Sequence, residues 1–148
     1  MFHDALVPFA ERQKIIMKIM VSACLLGENC KYNGGNNYNE KVMEYIKGHE
    51  VISVCPEVLG GLPTPRVPSE IVGGVVTTKD GRNVDSEFRL GAEIALKKAL
   101  EEEVDLVILQ SRSPSCGVKQ IYDGSFSGTG STHNSQGFSR WYMKINVI

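Results

Sequence analysis

Ile19-Met20-Val21-Ser22-Ala23-Cys24 is the stretch that decides the fold. It is a short apolar run after Lys18 that closes on small residues and a cysteine. A run of this length with no polar alternation suits a strand buried on both faces, as in a parallel sheet. The pattern recurs twice. Val51-Ile52-Ser53-Val54 leads into Cys55, and Leu106-Val107-Ile108-Leu109 precedes Cys116 by a few residues. The expected strands are Lys18–Cys24, Glu50–Val54 and Asp105–Gln110.

Helical segments separate these runs. Asn39 is a good N-cap for a short helix whose stripe is Val42, Tyr45 and Ile46, and Gly48 ends it. A long helix is predicted over Ser86–Glu103, with Phe88, Leu90, Gly91, Ile94, Ala95 and Leu100 as its inner face. Strand, helix, strand, helix, strand with short connections gives a small parallel sheet. The expected fold is therefore α/β, a single Rossmann-like domain with helices on both faces of the sheet.

The remaining segments are less regular. Leu25–Tyr38 is rich in Gly and Asn, and Cys55–Ser69 holds four prolines and the Gly60-Gly61 pair, so both read as loops. Gly74–Thr78 reads as a short strand and Lys79-Asp80-Gly81-Arg82 as a turn. Residues 1–16 read as an N-terminal arm, frayed or forming a short amphipathic helix over Ala5–Lys14 that docks on the domain or on a second subunit. Residues 17–148 read as the α/β domain, closing with a helical turn and a strand over Lys144–Ile148.

Bulk properties narrow the function. A chain of 148 residues is one domain by length. Sixteen basic against seventeen acidic residues leave a net charge of −1, which argues against general nucleic-acid binding. No apolar run is long enough to span a bilayer, and Asp4 and Glu11 break any secretory signal. A cytoplasmic location is expected, with no membrane partner.

In that compartment four cysteines are metal ligands or catalytic thiols rather than bridges. Parallel strands would bring Cys24, Cys55 and Cys116 to one sheet edge, outside the carboxyl ends where ligands bind in open α/β sheets. Three thiolates are soft ligands suited to zinc or an iron–sulfur cluster. On a cubane cluster they leave one iron open. With Cys30 added they would form a closed zinc site, making the chain a structural or interaction module. A thiol-based sulfur carrier without metal is a third reading.

Each chemical candidate has a plainer alternative. Glu57, two residues past Cys55, is a general acid/base beside the metal or a solvated loop carboxylate. Ser113, three residues before Cys116, is a proton relay or a turn cap. Arg66 and Arg112 are forks for a carbonyl or phosphate oxygen of the substrate, or surface ion pairs. His3, His49 and His133 are scattered and receive no metal role.

Four motifs then carry a resemblance. Ser22-Ala23-Cys24-Leu25-Leu26-Gly27, Val54-Cys55-Pro56-Glu57 running to Gly60-Gly61-Leu62-Pro63-Thr64-Pro65-Arg66, Arg112-Ser113-Pro114-Ser115-Cys116-Gly117 and Tyr122-Asp123-Gly124-Ser125-Phe126-Ser127-Gly128 resemble the bacterial thiouracil desulfidase family. The resemblance implies a [4Fe-4S] cluster held by Cys24, Cys55 and Cys116, with Glu57 and Ser113 as catalytic helpers and Cys30 outside the triad. It implies a non-redox removal of sulfur from a thiolated nucleobase or nucleoside, such as thiouracil to uracil plus hydrogen sulfide, with the substrate sulfur on the open iron. Tyr32, Arg66 and Arg112 are the candidate substrate contacts. Lys31-Tyr32-Asn33-Gly34 departs from the family's usual Arg-Tyr-Asp-Gly at its first and third positions. The reading leaves room for a homo-oligomer.

Overall fold

A computed structural model describes residues 15–111 and 113–116. The predicted tail strand, the Asp123–Gly130 loop, Arg112 and nearly all of the N-terminal arm lie outside the described residues.

Three strands form a parallel sheet: β1 (Lys18–Ser22), β2 (Glu50–Val54) and β5 (Leu106–Ile108). Their order is β2-β1-β5, with the first strand central. Lys18 pairs with Glu50 and Ser22 with Val54, while Ile19 pairs with Leu106 and Val21 with Ile108. The register is in step, so Ser22, Val54 and Ile108 end at one edge. The chain leaves β1 to one side to reach β2 and returns on the other to reach β5. That edge is therefore a topological switch point.

The two faces of β1 carry separate cores. Ile19 and Val21 pack with Leu25, Ile46 and Leu106, and Val42 and Met43 of helix α1 (Glu40–Tyr45) lean on this cluster. Asn39 caps that helix as the sequence indicates, its Oδ1 accepting from the Val42 N–H at 3.1 Å. Met20 points the other way, onto Val54, Ala92, Ala95, Ala99 and Val104. The sheet is thus covered on both faces, as expected.

The long helix α3 (Asp85–Glu101) differs from expectation in its inner face. Phe88, Gly91, Ala92, Ala95 and Ala99 are the buried residues, whereas Leu90, Ile94 and Leu100 are exposed. The buried set follows the 3.6-residue period more closely, and small side chains let the helix approach the sheet. Phe88, Gly91 and Ala95 of the expected face are buried, and Ala92 and Ala99 replace its larger members.

Two further corrections concern the loop regions. Cys55–Ser69 is not wholly irregular: Cys55 is the N-cap residue of a one-turn helix, α2 (Pro56–Leu59), with Pro56 at its first position. This turn lies on α3 through two glycines. A Cβ on Gly91 would sit 1.8 Å from the Pro56 carbonyl oxygen, and one on Gly60 would sit 1.9 Å from that of Glu87. The expected lone strand at Gly74–Thr78 is the second half of an antiparallel hairpin, β3 (Ser69–Val72) with β4 (Val75–Thr78). Gly73 and Gly74, both at positive φ, make its two-residue turn. Ile71 and Val76 of the hairpin pack with Val84 and Phe88 against α3.

Candidate active site

Past Ser22 the chain leaves the sheet at once. Ala23–Leu26 form a 3-10 turn, not the strand end that was expected, and Gly27 closes it at φ 93°. The turn places Cys24 over the strand ends. Its carbonyl accepts from Gly27 N–H at 3.2 Å and Asn37 N–H at 2.9 Å, and Asn37 Nδ2 lies 3.8 Å from its sulfur. Cys55 follows β2, and its backbone carbonyl accepts from Leu59 N–H, so the thiol sits at the foot of α2. Past the third strand, Gln110 N–H donates to Ser22 Oγ at 2.8 Å and anchors the chain before Cys116.

Cys24, Cys55 and Cys116 line one cavity of about 730 Å³, which Cys30, Glu57, Ser113, Arg66 and Tyr32 also line. The thiols differ in character. Cys24 and Cys55 are each lowered to about 7, first by a hydrogen bond from the Cys30 thiol. Cys30 itself is pushed up, because its one proton is held between those two sulfurs. Cys116 is 5 % exposed, and burial pushes it up to about 12. All four are free thiols. Among the described residues no three Cys, His, Asp or Glu side chains converge on one ion-sized point.

Glu57 has a partner that its sequence context did not suggest. Arg66 Nη2 donates to Glu57 Oε2 at 2.5 Å, with the two side chains 4 % and 17 % exposed. The fork also donates to the Cys30 carbonyl at 2.9 Å, the Pro63 carbonyl at 3.1 Å and Thr64 Oγ1 at 3.0 Å. Ser113 makes the cap bonds of the plainer reading: its Oγ accepts from the N–H groups of Ser115 and Cys116 at 3.2 and 3.3 Å. It also lies 2.9 Å from Ser115 Oγ, whose hydroxyl points at the Cys116 sulfur at 3.7 Å. Asn33, where the resemblance expects a carboxylate, accepts from Gly35 N–H and so shapes the Lys31–Gly35 turn. His49 sits at the opposite end of β1, where its Nδ1 accepts from Met17 N–H.

A family model for 2-thiouracil desulfurase matches residues 19–147. The chain belongs to the 2-thiouracil desulfurase family. It is 39 % identical to the solved [4Fe-4S]-dependent thiouracil desulfidase TudS, with a TM-score of 0.74, covering 86 % of this chain and 85 % of that one. It is also 40 % identical over 120 residues to the uncharacterized protein YbbK of Bacillus subtilis (strain 168), covering 74 % of this chain and 80 % of YbbK.

Within this family member, sequence reasoning missed Asn37, Glu70, Lys79 and the place of Cys30. Glu70 is 3 % exposed and lies on β3, which brings it and Lys79 to the cavity wall. The signal was present: Ser69-Glu70-Ile71-Val72 and Val75-Val76-Thr77-Thr78 flank a Gly-Gly pair, the pattern of a tight hairpin. No helix among the described residues is long and apolar enough to cross a membrane.

Proposed function

We propose that this protein removes sulfur from thiolated pyrimidines, converting C=S to C=O with water as co-reactant and hydrogen sulfide as product. The observation that carries the reading is the meeting of Cys24, Cys55, Cys116, Glu57 and Ser113 at one cavity. Family membership and the likeness to TudS support it.

The donor set fits a [4Fe-4S] cluster. Three cysteines from separate segments face one space, thiolates are the ligands such clusters take, and Cys24 and Cys55 lose their protons near neutrality. Cys24, Cys55 and Cys116 would hold the cluster, which supplies a Lewis-acidic iron for the soft thiocarbonyl sulfur. Cys116 needs a cation beside it to ionise, since burial alone holds it protonated at physiological pH.

The remaining work falls to this chain's own side chains. Glu57 takes a proton from the water that attacks the thiocarbonyl carbon. Ser113, hydrogen-bonded to Ser115, passes a proton toward the departing sulfur. Two protons leave with that sulfur, and no electrons are exchanged. Tyr32 lines the cavity and offers its ring to a planar substrate. Arg112, beyond the described residues, keeps the substrate-contact role assigned from sequence.

Anaerobic purification followed by iron and acid-labile sulfide assays tests the cofactor. Cys55→Ala should lose the cluster. Glu57→Ala should keep it and lose sulfide release from thiouracil. Full activity in Glu57→Ala removes its role, and stoichiometric zinc without sulfide replaces this reading with a closed structural site.

A further inference from the structure

From sequence Arg66 is either a fork for a substrate oxygen or a surface ion pair, but its fork is already filled and buried. A guanidinium has four Nη–H donors besides its Nε–H. Nη1 donates to the Pro63 carbonyl and Thr64 Oγ1, and Nη2 donates to the Cys30 carbonyl and Glu57 Oε2. Four donors thus meet four acceptors of the protein. At 4 % exposure the side chain has little surface to offer a ligand. Its own backbone adds a fifth tie, Arg66 N–H to the Tyr32 carbonyl at 2.7 Å.

These bonds connect two segments far apart in sequence. One is the turn that carries Cys30 and Tyr32, and the other is the helix that carries Cys55 and Glu57. We propose that Arg66 is the positioning residue of this site: its fork fixes the Glu57 carboxylate against the Cys30–Tyr32 turn and does not contact substrate. The inference rests on the reading of Glu57 as the base, and it adds how that base is held. A partly buried carboxylate that loses its cation is left poorly compensated, and a small misplacement of a catalytic group lowers the chemical step without weakening substrate binding.

The test uses the cluster-loaded enzyme with Arg66→Met, Arg66→Lys, Glu57→Gln and the double variant Glu57→Gln/Arg66→Met. Arg66→Met should retain iron and lower kcat by about 10²-fold, with KM for 2-thiouracil little changed. Arg66→Lys keeps the charge but cannot serve four acceptors, so its kcat should also fall. The double variant should be no slower than Glu57→Gln alone, because Arg66 acts through the carboxylate. A raised KM with unchanged kcat in Arg66→Met would mean substrate binding and overturn the proposal. Losses that multiply in the double variant, or full activity in Arg66→Lys, would overturn it too.

Thermal unfolding of the cluster-free chain gives a reading independent of turnover. Arg66→Met should lower Tm, and adding Glu57→Gln should restore the part owed to the unpaired carboxylate, since a neutral amide needs no cation, but not the part owed to the bonds to Cys30, Pro63 and Thr64. An unchanged Tm in Arg66→Met contradicts the clamp. If the wild-type enzyme releases no sulfide, or Glu57→Gln turns over normally, the proposed function or the role of Glu57 fails, and the unfolding comparison still decides the clamp.

Discussion

Cys30 illustrates how one side chain tunes its neighbours. Its single S–H is shared between the sulfurs of Cys24 and Cys55, and it is the first cause that lowers each of them to about 7. In cluster-free protein the two should react with iodoacetamide in a rising curve with a midpoint near pH 7. The sign follows from the lowered values: thiolate gains over thiol as pH passes the midpoint, well before an ordinary cysteine at about 8.5. Cys30→Ala removes the donor and should move both midpoints up toward that ordinary value. Cys116, pushed up to about 12 by burial, should be labelled last. Peptide-resolved alkylation between acid and alkaline pH reads all three. Sequence showed that these thiols would meet, because strand ends align in a parallel sheet. It did not show their ordering in acidity, since that depends on which turn folds back over which sulfur.

At the scale of elements, the contact between α2 and α3 seats the Cys55 and Glu57 segment. Gly60 and Gly91 allow the two helices to touch backbone to backbone. Gly91→Ala places a methyl 1.8 Å from the Pro56 carbonyl oxygen, and it should cost about 1–3 kcal/mol or more through overpacking. It should also lower cluster retention, because Pro56 follows Cys55, the proposed ligand. Leu90→Ala, on the exposed side of the same helix, should stay within about 0.5 kcal/mol. Denaturant unfolding of both variants checks the pair. Helix and strand positions were legible from apolar period and from the Asn39 cap. Half of the expected inner face of α3 is buried, Phe88, Gly91 and Ala95, while Leu90, Ile94 and Leu100 are exposed and Ala92 and Ala99 take their place, because close approach favours small side chains at the 3.6-residue period. The hairpin Ser69–Thr78 was half seen, its first strand hidden by the prolines before it and by a charged Glu70 that faces the site.

For the whole molecule, the placing of β1 between its two neighbours makes the site. Connections that leave to opposite sides open a crevice at the strand ends, and three cysteines from segments up to 92 residues apart converge there. That convergence followed from the repeated pattern of apolar run then cysteine. The Arg66–Glu57 pair did not, because its partners lie on two turns whose packing no periodicity encodes. If this cavity is the cluster-dependent desulfuration site we propose, turnover requires both iron and Cys55. The most direct measurement is sulfide released from 2-thiouracil by anaerobically reconstituted protein, wild type beside Cys55→Ala, with iron counted in both. The wild type should hold iron and release sulfide steadily, with uracil as co-product, and the variant should do neither. Equal release from the iron-free variant, or none from the iron-loaded wild type, would contradict it.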